Sequence, residues 1–208
     1  MNRRLLFTLS PVLLFLGIFI HPEEPQSGRA LFEVLHRHPT QWLTAHLLLL
    51  AGITVFVPVV LALAEAVRAT APRLSRLVAV LGVAGCGTAA GIFGSSVVLT
   101  SVADGAPAEM GRLLQRVIDA RVDIGAQVFV LGMLIAIIVA AAVLVAAGRI
   151  TAVAGILTAA GFVASVLVPE PFACIGAGLT IVGLTMAARQ LPDADRQLRS
   201  LHREPARV

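Results

Sequence analysis

The histidines near the start of the chain are the residues most suited to chemistry. Four of the five, His21, His36, His38 and His46, precede residue 47. An imidazole can act as a general base or bind zinc, copper or haem iron. His46 lies inside an apolar stretch, where an ionisable group is costly and therefore indicates a function. An antiparallel hairpin of the two stretches can bring His21 and His46 together at similar depth. The alternative is that His21, His36 and His38 are merely interfacial residues, with His36 and His38 in solvent.

Further polar residues lie near the corresponding ends of other apolar stretches. They are Ser95, Ser96, Thr100, Asp123, Gln127, Ser165 and Glu170. We predict that His46, Asp123, Gln127 and Glu170 form an acid–base or metal site in a semi-dry pocket. The alternatives are an N-cap role for Asp123, a solvated loop position for Glu170, and hydroxyls that bond to their own helices.

The composition identifies the kind of element that must position these residues. Apolar residues make up 58% of the chain and charged residues 13%, whereas a soluble domain has roughly a quarter charged. The apolar residues occur in blocks of about the 20 residues that a helix needs to cross a bilayer. Barrel strands would be shorter and would alternate between apolar and polar residues. The sequence therefore predicts an all-α, polytopic membrane bundle.

Six apolar blocks predict six transmembrane helices. They are Leu5–Ile20, Trp42–Ala64, Leu77–Val102, Ile124–Ala147, Ile150–Val168 and Phe172–Ala188. The first block could also be a signal peptide, but no small-x-small cleavage site follows it, which favours a retained helix. Residues 1–188 are thus predicted to form a single bundle, and residues 189–208 a basic tail.

The arginines orient the bundle. All sixteen cationic side chains are arginine, and most lie in the two termini, the 65–76 loop and the joint at Arg149. The positive-inside rule then places both termini in the cytoplasm.

The absence of lysine and tyrosine and the abundance of alanine, valine, glycine and leucine suggest a bacterial plasma-membrane protein. Because the arginines flank the membrane segments, no basic face for nucleic acid is predicted. Trp42 at the outer start of the second helix is expected in the aromatic belt.

Two outer loops are long enough to form amphipathic helices. Ser27–His38 is predicted to be a helix with Ser27 as its N-cap and Pro39 just past its end. Pro107–Val122 is predicted to be the second. Its apolar face comprises Met110, Leu113, Leu114, Val117 and Ile118. Both helices are expected to lie at the outer interface as lids over the bundle.

Small residues predict close helix packing. Gly87 and Gly91 in the third span form a GxxxG pair, which allows two helix backbones to approach in lipid. The sixth span carries Gly176, Gly178 and Gly183 and is expected beside the third. Such faces could also mediate oligomers.

The segment His38-Pro39-Thr-Gln-Trp42-Leu-Thr-Ala-His46, after the basic start and His21-Pro22, resembles small actinobacterial membrane proteins of unknown function. That resemblance implies the six-helix topology and no activity.

The residues leave three functions open. One is an outward-facing polar pocket that binds a lipid-like or small amphiphilic ligand, with or without an enzymatic reaction on a lipid or isoprenoid. The second is a haem- or metal-binding redox protein that uses His21 and His46. The third is a structural or partner-binding protein.

Overall fold

The chain folds into helices throughout the residues that the structure, a computed structural model, describes: 3–22, 27–102, 107–121, 124–168 and 172–191. The helices are α1 (Arg3–Ile20), α2 (Gly28–Arg37), α3 (Pro39–Arg68), α4 (Pro72–Val102), α5 (Pro107–Arg121), α6 (Ile124–Ala146), α7 (Ala152–Leu167) and α8 (Phe172–Gln190). The all-helical prediction is confirmed for this part of the chain.

The helix ends follow local chemistry. Ser27 is the N-cap of α2, where its hydroxyl accepts a hydrogen bond from the backbone N–H of Ala30 at 3.3 Å, as predicted. Helix α3 begins at Pro39, earlier than the apolar block that starts at Trp42. Proline suits the first turn because its missing N–H would have no partner there. At the tight joint after α6, Gly148 has φ of +65°, a conformation that glycine adopts without steric cost.

Three helices are long and apolar enough to cross a membrane: α3, α4 and α8. With 30 residues, α3 is about 45 Å long at roughly 1.5 Å per residue, more than the ~30 Å of a hydrocarbon core. Three further apolar stretches are shorter in the described residues: Arg4–Ile20, Val130–Ala146 and Ala152–Leu167. A helical membrane protein is therefore supported, while the number of six crossings stays a prediction.

The six apolar helices pack in a closed ring that follows chain order. Helix α1 packs on α3, α3 on α4, α4 on α6, α6 on α7, α7 on α8, and α8 returns to α1. Inside the ring, the largest core cluster draws on all six helices and includes the stacked rings of Phe56 and Phe162, with centroids 5.4 Å apart. Helix α1, which ends just before His21, and helix α3, which carries His46, thus each pack between two other helices.

Gly176 and Gly183 of α8 pack against α7 instead of α4, which corrects the expectation from sequence. A Cβ on Gly176 or Gly183 would collide with the α7 backbone, near Ala164 and Thr158 respectively. On α4, by contrast, no atom lies within 4 Å of a Cβ built on Gly87 or Gly91. The spacing of the glycines indicated that helix backbones could approach closely, but it did not indicate which two helices would do so.

The two amphipathic helices pack on each other as well as on the bundle. Leu31 and Leu35 of α2 and Met110 and Leu114 of α5 form a second apolar cluster with Trp42 and Leu99 from the ends of α3 and α4. Leu113, predicted on the apolar face, is 50% exposed. We call α2 and α5 the helical cap. It covers the end of the bundle at which α3 begins and α4 finishes.

Candidate functional site

His21 and His46 meet beneath the helical cap. His21 follows the end of α1 and His46 lies in the early turns of α3, so the antiparallel packing of these two helices brings their side chains together. Their Nε2 atoms are 3.4 Å apart, and the ring centroids are 4.8 Å apart at an interplanar angle of 62°. His46 is 3% exposed and His21 is half-buried. The predicted juxtaposition of the two residues is present in the structure.

A backbone hydrogen bond fixes the orientation of His46. Its Nδ1 lies 2.9 Å from the carbonyl oxygen of Trp42, one turn earlier on α3. A carbonyl oxygen only accepts, so Nδ1 must carry the proton and donate it. In the neutral ring, Nε2 then presents its lone pair towards His21.

Aromatic rings surround the histidine pair. The Trp42 ring centroid is 4.3 Å from that of His46 and 5.2 Å from that of His21, and Phe93 of α4 approaches His46 at 6.5 Å. Trp42 is fully buried, and its indole N–H donates to the carbonyl of Ser96 at 3.0 Å. Protein therefore covers the Trp42 ring, which does not face lipid, while its expected depth at the membrane surface stays a prediction. Its spacing of four residues from His46 was the signal that the two side chains share a helix face.

A cavity of about 370 Å³ lies one helical turn deeper in the bundle. All six apolar helices line it, with Ile18, Leu49 and Phe93 nearest the histidine pair along their helices. The remaining lining is largely apolar and includes Ile53, Phe56, Ala89, Met133, Phe162 and Ala177. The hydroxyls of Ser165 and Thr180 also line it, but each donates to a carbonyl of its own helix. The cavity is thus a largely apolar space whose lining lies next to the histidine pair but does not include it.

The structure separates the other predicted site residues into three groups. Ser95, Ser96, Thr100 and Ser165 each donate to a carbonyl of their own helix, in agreement with the alternative interpretation of these hydroxyls. His36 and His38 are exposed. Asp123, Glu170 and the side chain of Gln127 lie outside what the structure describes, so their roles remain predictions.

The distance within the histidine pair bears on which metal chemistry is feasible. Two axial ligands on opposite faces of haem iron would stand roughly 4 Å apart, twice a metal–nitrogen bond of about 2 Å, with the porphyrin between them. At 3.4 Å the two rings are in contact and leave no room for a macrocycle. In the part of the chain that the structure describes, no group of three or more His, Cys, Asp or Glu side chains is placed to hold a metal ion.

These features define an all-helical protein with at least three helices fit to cross a membrane and a buried imidazole pair above an apolar cavity. No protein-family model, curated protein or solved structure matches the chain. Function is therefore inferred from the residues of this chain alone.

Proposed function

We propose that the protein is a six-crossing integral membrane protein of the bacterial plasma membrane that binds a lipid-like or small amphiphilic ligand. The hydrocarbon part of the ligand occupies the central cavity, and its polar end faces His21 and His46. The observation that carries this proposal is the largely apolar cavity of about 370 Å³, which six helices line and whose Phe93 ring lies 6.5 Å from that of His46.

The size and chemistry of the cavity suit such a ligand. Small-molecule sites are mostly apolar clefts of about 300–1,000 Å³ with a few polar groups that orient the ligand. An apolar cavity of this kind excludes water and accepts apolar molecules. An amphiphile would leave its polar end at the histidines and its chain among Leu49, Ile53 and Phe56.

An enzyme acting on the same ligand is the second candidate. The observation that favours it is the fixed and buried ring of His46, whose Nε2 faces His21 and could exchange a proton with it. Asp123, Gln127 and Glu170 remain the predicted partners in such a reaction. The test is turnover of lipid or isoprenoid substrates by purified protein: a reaction that His46→Ala leaves at full rate would contradict this role.

Trp42 provides a direct measurement of ligand binding, because the chain contains one tryptophan and no tyrosine. Fatty acids that carry a nitroxide quencher near the head group or near the chain end would be titrated into detergent-purified protein. We expect saturable quenching that is stronger for the head-proximal label, because Trp42 lies at the histidine end of the cavity. Unlabelled fatty acid should reverse the quenching.

Matched variants separate the cavity from the protein surface. Ala89→Phe and Ala177→Phe fill the cavity from different helices, and both should abolish saturable quenching. Val98→Phe adds a similar ring on α4 at a position that is 58% exposed, and it should bind like the wild type. Equal quenching in all three variants would show that the fatty acid contacts the protein from outside and would overturn the proposal.

A further inference from the structure

We propose that His21 and His46 hold a divalent transition-metal ion of the zinc type between their Nε2 atoms. The amphiphile-binding function does not require such an ion, and the site rests on the geometry of the two imidazoles and of the groups that orient them. Only the identity of one further ligand, given below, rests on the proposed function.

The separation of the two nitrogens fits a shared tetrahedral ion. With zinc–nitrogen bonds of about 2.0–2.1 Å at a tetrahedral angle, two ligand nitrogens stand roughly 3.3–3.4 Å apart. The observed distance between His21 Nε2 and His46 Nε2 is 3.4 Å. The distance between the two nitrogens therefore already equals the one that a shared tetrahedral ion requires.

The groups behind His46 match those behind metal-binding histidines. Such histidines commonly donate their other ring N–H to a carboxylate or a backbone carbonyl, which fixes the tautomer that presents a lone pair to the metal. His46 Nδ1 donates to the Trp42 carbonyl at 2.9 Å. Trp42 is itself held by its indole hydrogen bond to Ser96. The lone pair of His46 Nε2 is thus aimed at His21 before any ion arrives.

Binding requires one proton to move within His21. Because His46 Nε2 accepts, the contact at 3.4 Å is a hydrogen bond donated by His21 Nε2–H in the neutral pair. When the ion binds, His21 adopts the tautomer with its proton on Nδ1, and both Nε2 lone pairs point to the metal. No net proton is released by this step. The hydrogen bond and the metal bridge use the same geometry and exclude each other.

The described residues offer the ion two side-chain ligands, since no third His, Cys, Asp or Glu groups with this pair there. An ion held by two imidazoles keeps open positions, as catalytic zinc sites do with three protein ligands. Water would fill these positions in the absence of ligand. Under the proposed function, an anionic carboxylate or phosphate head would replace one water and anchor the amphiphile at the end of the cavity.

Cobalt(II) is a suitable probe, because it follows zinc coordination and quenches a nearby indole. Detergent-purified protein stripped with a chelator would be titrated with Co²⁺ while Trp42 emission and visible absorption are recorded. We expect saturable quenching with one ion per chain, intense tetrahedral d–d bands, and reversal of both by Zn²⁺. An absence of saturable binding by the wild type would overturn the proposal.

Three variants test the assignment. His21→Ala should weaken Co²⁺ binding by more than about 100-fold, the upper end of the loss caused by removing a mere supporting partner. His46→Ala should do the same. If it fails to fold, His21→Ala decides alone, because His21 lies past the end of α1 and is half-buried. His38→Ala removes an exposed histidine and should bind like the wild type. Equal affinity in His21→Ala and His38→Ala would show adventitious binding only and overturn the assignment.

The metal-site proposal and the cavity proposal can be contradicted independently of each other. Ala89→Phe should retain Co²⁺ binding while it loses the fatty acid. Fatty-acid binding without any metal binding would overturn the metal site and leave the cavity proposal standing. Metal binding without fatty-acid binding would overturn the cavity proposal and leave the metal site standing.

Discussion

Trp42 links the two parts of the candidate site. Its indole lies in the apolar cluster of the helical cap, while its backbone carbonyl orients His46. The sequence identified His46, because an imidazole in an apolar stretch is conspicuous. It did not identify Trp42 as a core residue, because tryptophan at the end of a membrane span is equally typical of the lipid interface. Burial depends on which helices cover the ring, here α2, α4 and α5.

Ser10 provides a second contact that sets the position of α1 against α3. Its hydroxyl is fully buried and donates to the carbonyl of Gly52 at 2.9 Å. Ser10→Ala should lower the free energy of unfolding by about 0.5–1 kcal/mol, typical of a hydrogen bond between membrane helices. Thr44→Ala on the exposed side of α3, whose hydroxyl bonds within its own helix, is the control and should be near neutral. Unfolding in mixed detergent would be followed by circular dichroism, and an equal loss in both variants would argue against the interhelical bond.

The helical cap depends on a close approach of two backbones. Gly28 of α2 faces α5 directly, and a Cβ there would collide with the Gly111 carbonyl and Gln115 N–H. Gly28 N–H also donates to the Gln115 side chain at 2.8 Å. The sequence predicted both amphipathic helices from their periodicity and caps. Their mutual packing was not predictable from either helix alone, because an apolar face does not specify its partner.

Gly28→Ala should therefore separate α2 from α5 and destabilise the cap by about 1–3 kcal/mol, as overpacking does. Gly111→Ala is the matched control, since a Cβ there finds its nearest atom at 3.7 Å, an ordinary contact. Trp42 emission reports the result. We expect a red shift in Gly28→Ala, because water gains access to the indole, and none in Gly111→Ala. The reverse order would contradict this packing.

At the scale of the whole molecule, the topology decides how the six apolar helices meet the bilayer. The ring closes in chain order, so each loop joins neighbours at one end of the bundle. Only α3, α4 and α8 are long and apolar enough on their own to span within the described residues. With six crossings, the segments at residues 70 and 149 share the cytoplasmic side. If α6 and α7 did not cross, residue 149 would lie with residue 27 instead.

The number of crossings and the orientation can be tested in cells with single-cysteine variants, each made in a protein that lacks Cys86 and Cys174. With a membrane-impermeant maleimide, Ser27→Cys should react in intact cells. Thr70→Cys and Arg149→Cys should react only after permeabilisation, as the arginine distribution predicts. Labelling of Arg149→Cys but not of Thr70→Cys in intact cells would contradict six crossings, whereas labelling of both would reverse the orientation.

The sequence by itself determined the helical class, the ends of most helices and the two amphipathic segments, because these follow from composition, periodicity and capping within short windows. It also indicated His21 and His46 as a pair, since a hairpin of adjacent helices relates them. Only the tertiary structure decided that α8 packs on α7, that Trp42 is buried, and that six helices line a largely apolar cavity near the histidines. Those features depend on contacts between distant segments, and local sequence does not specify them.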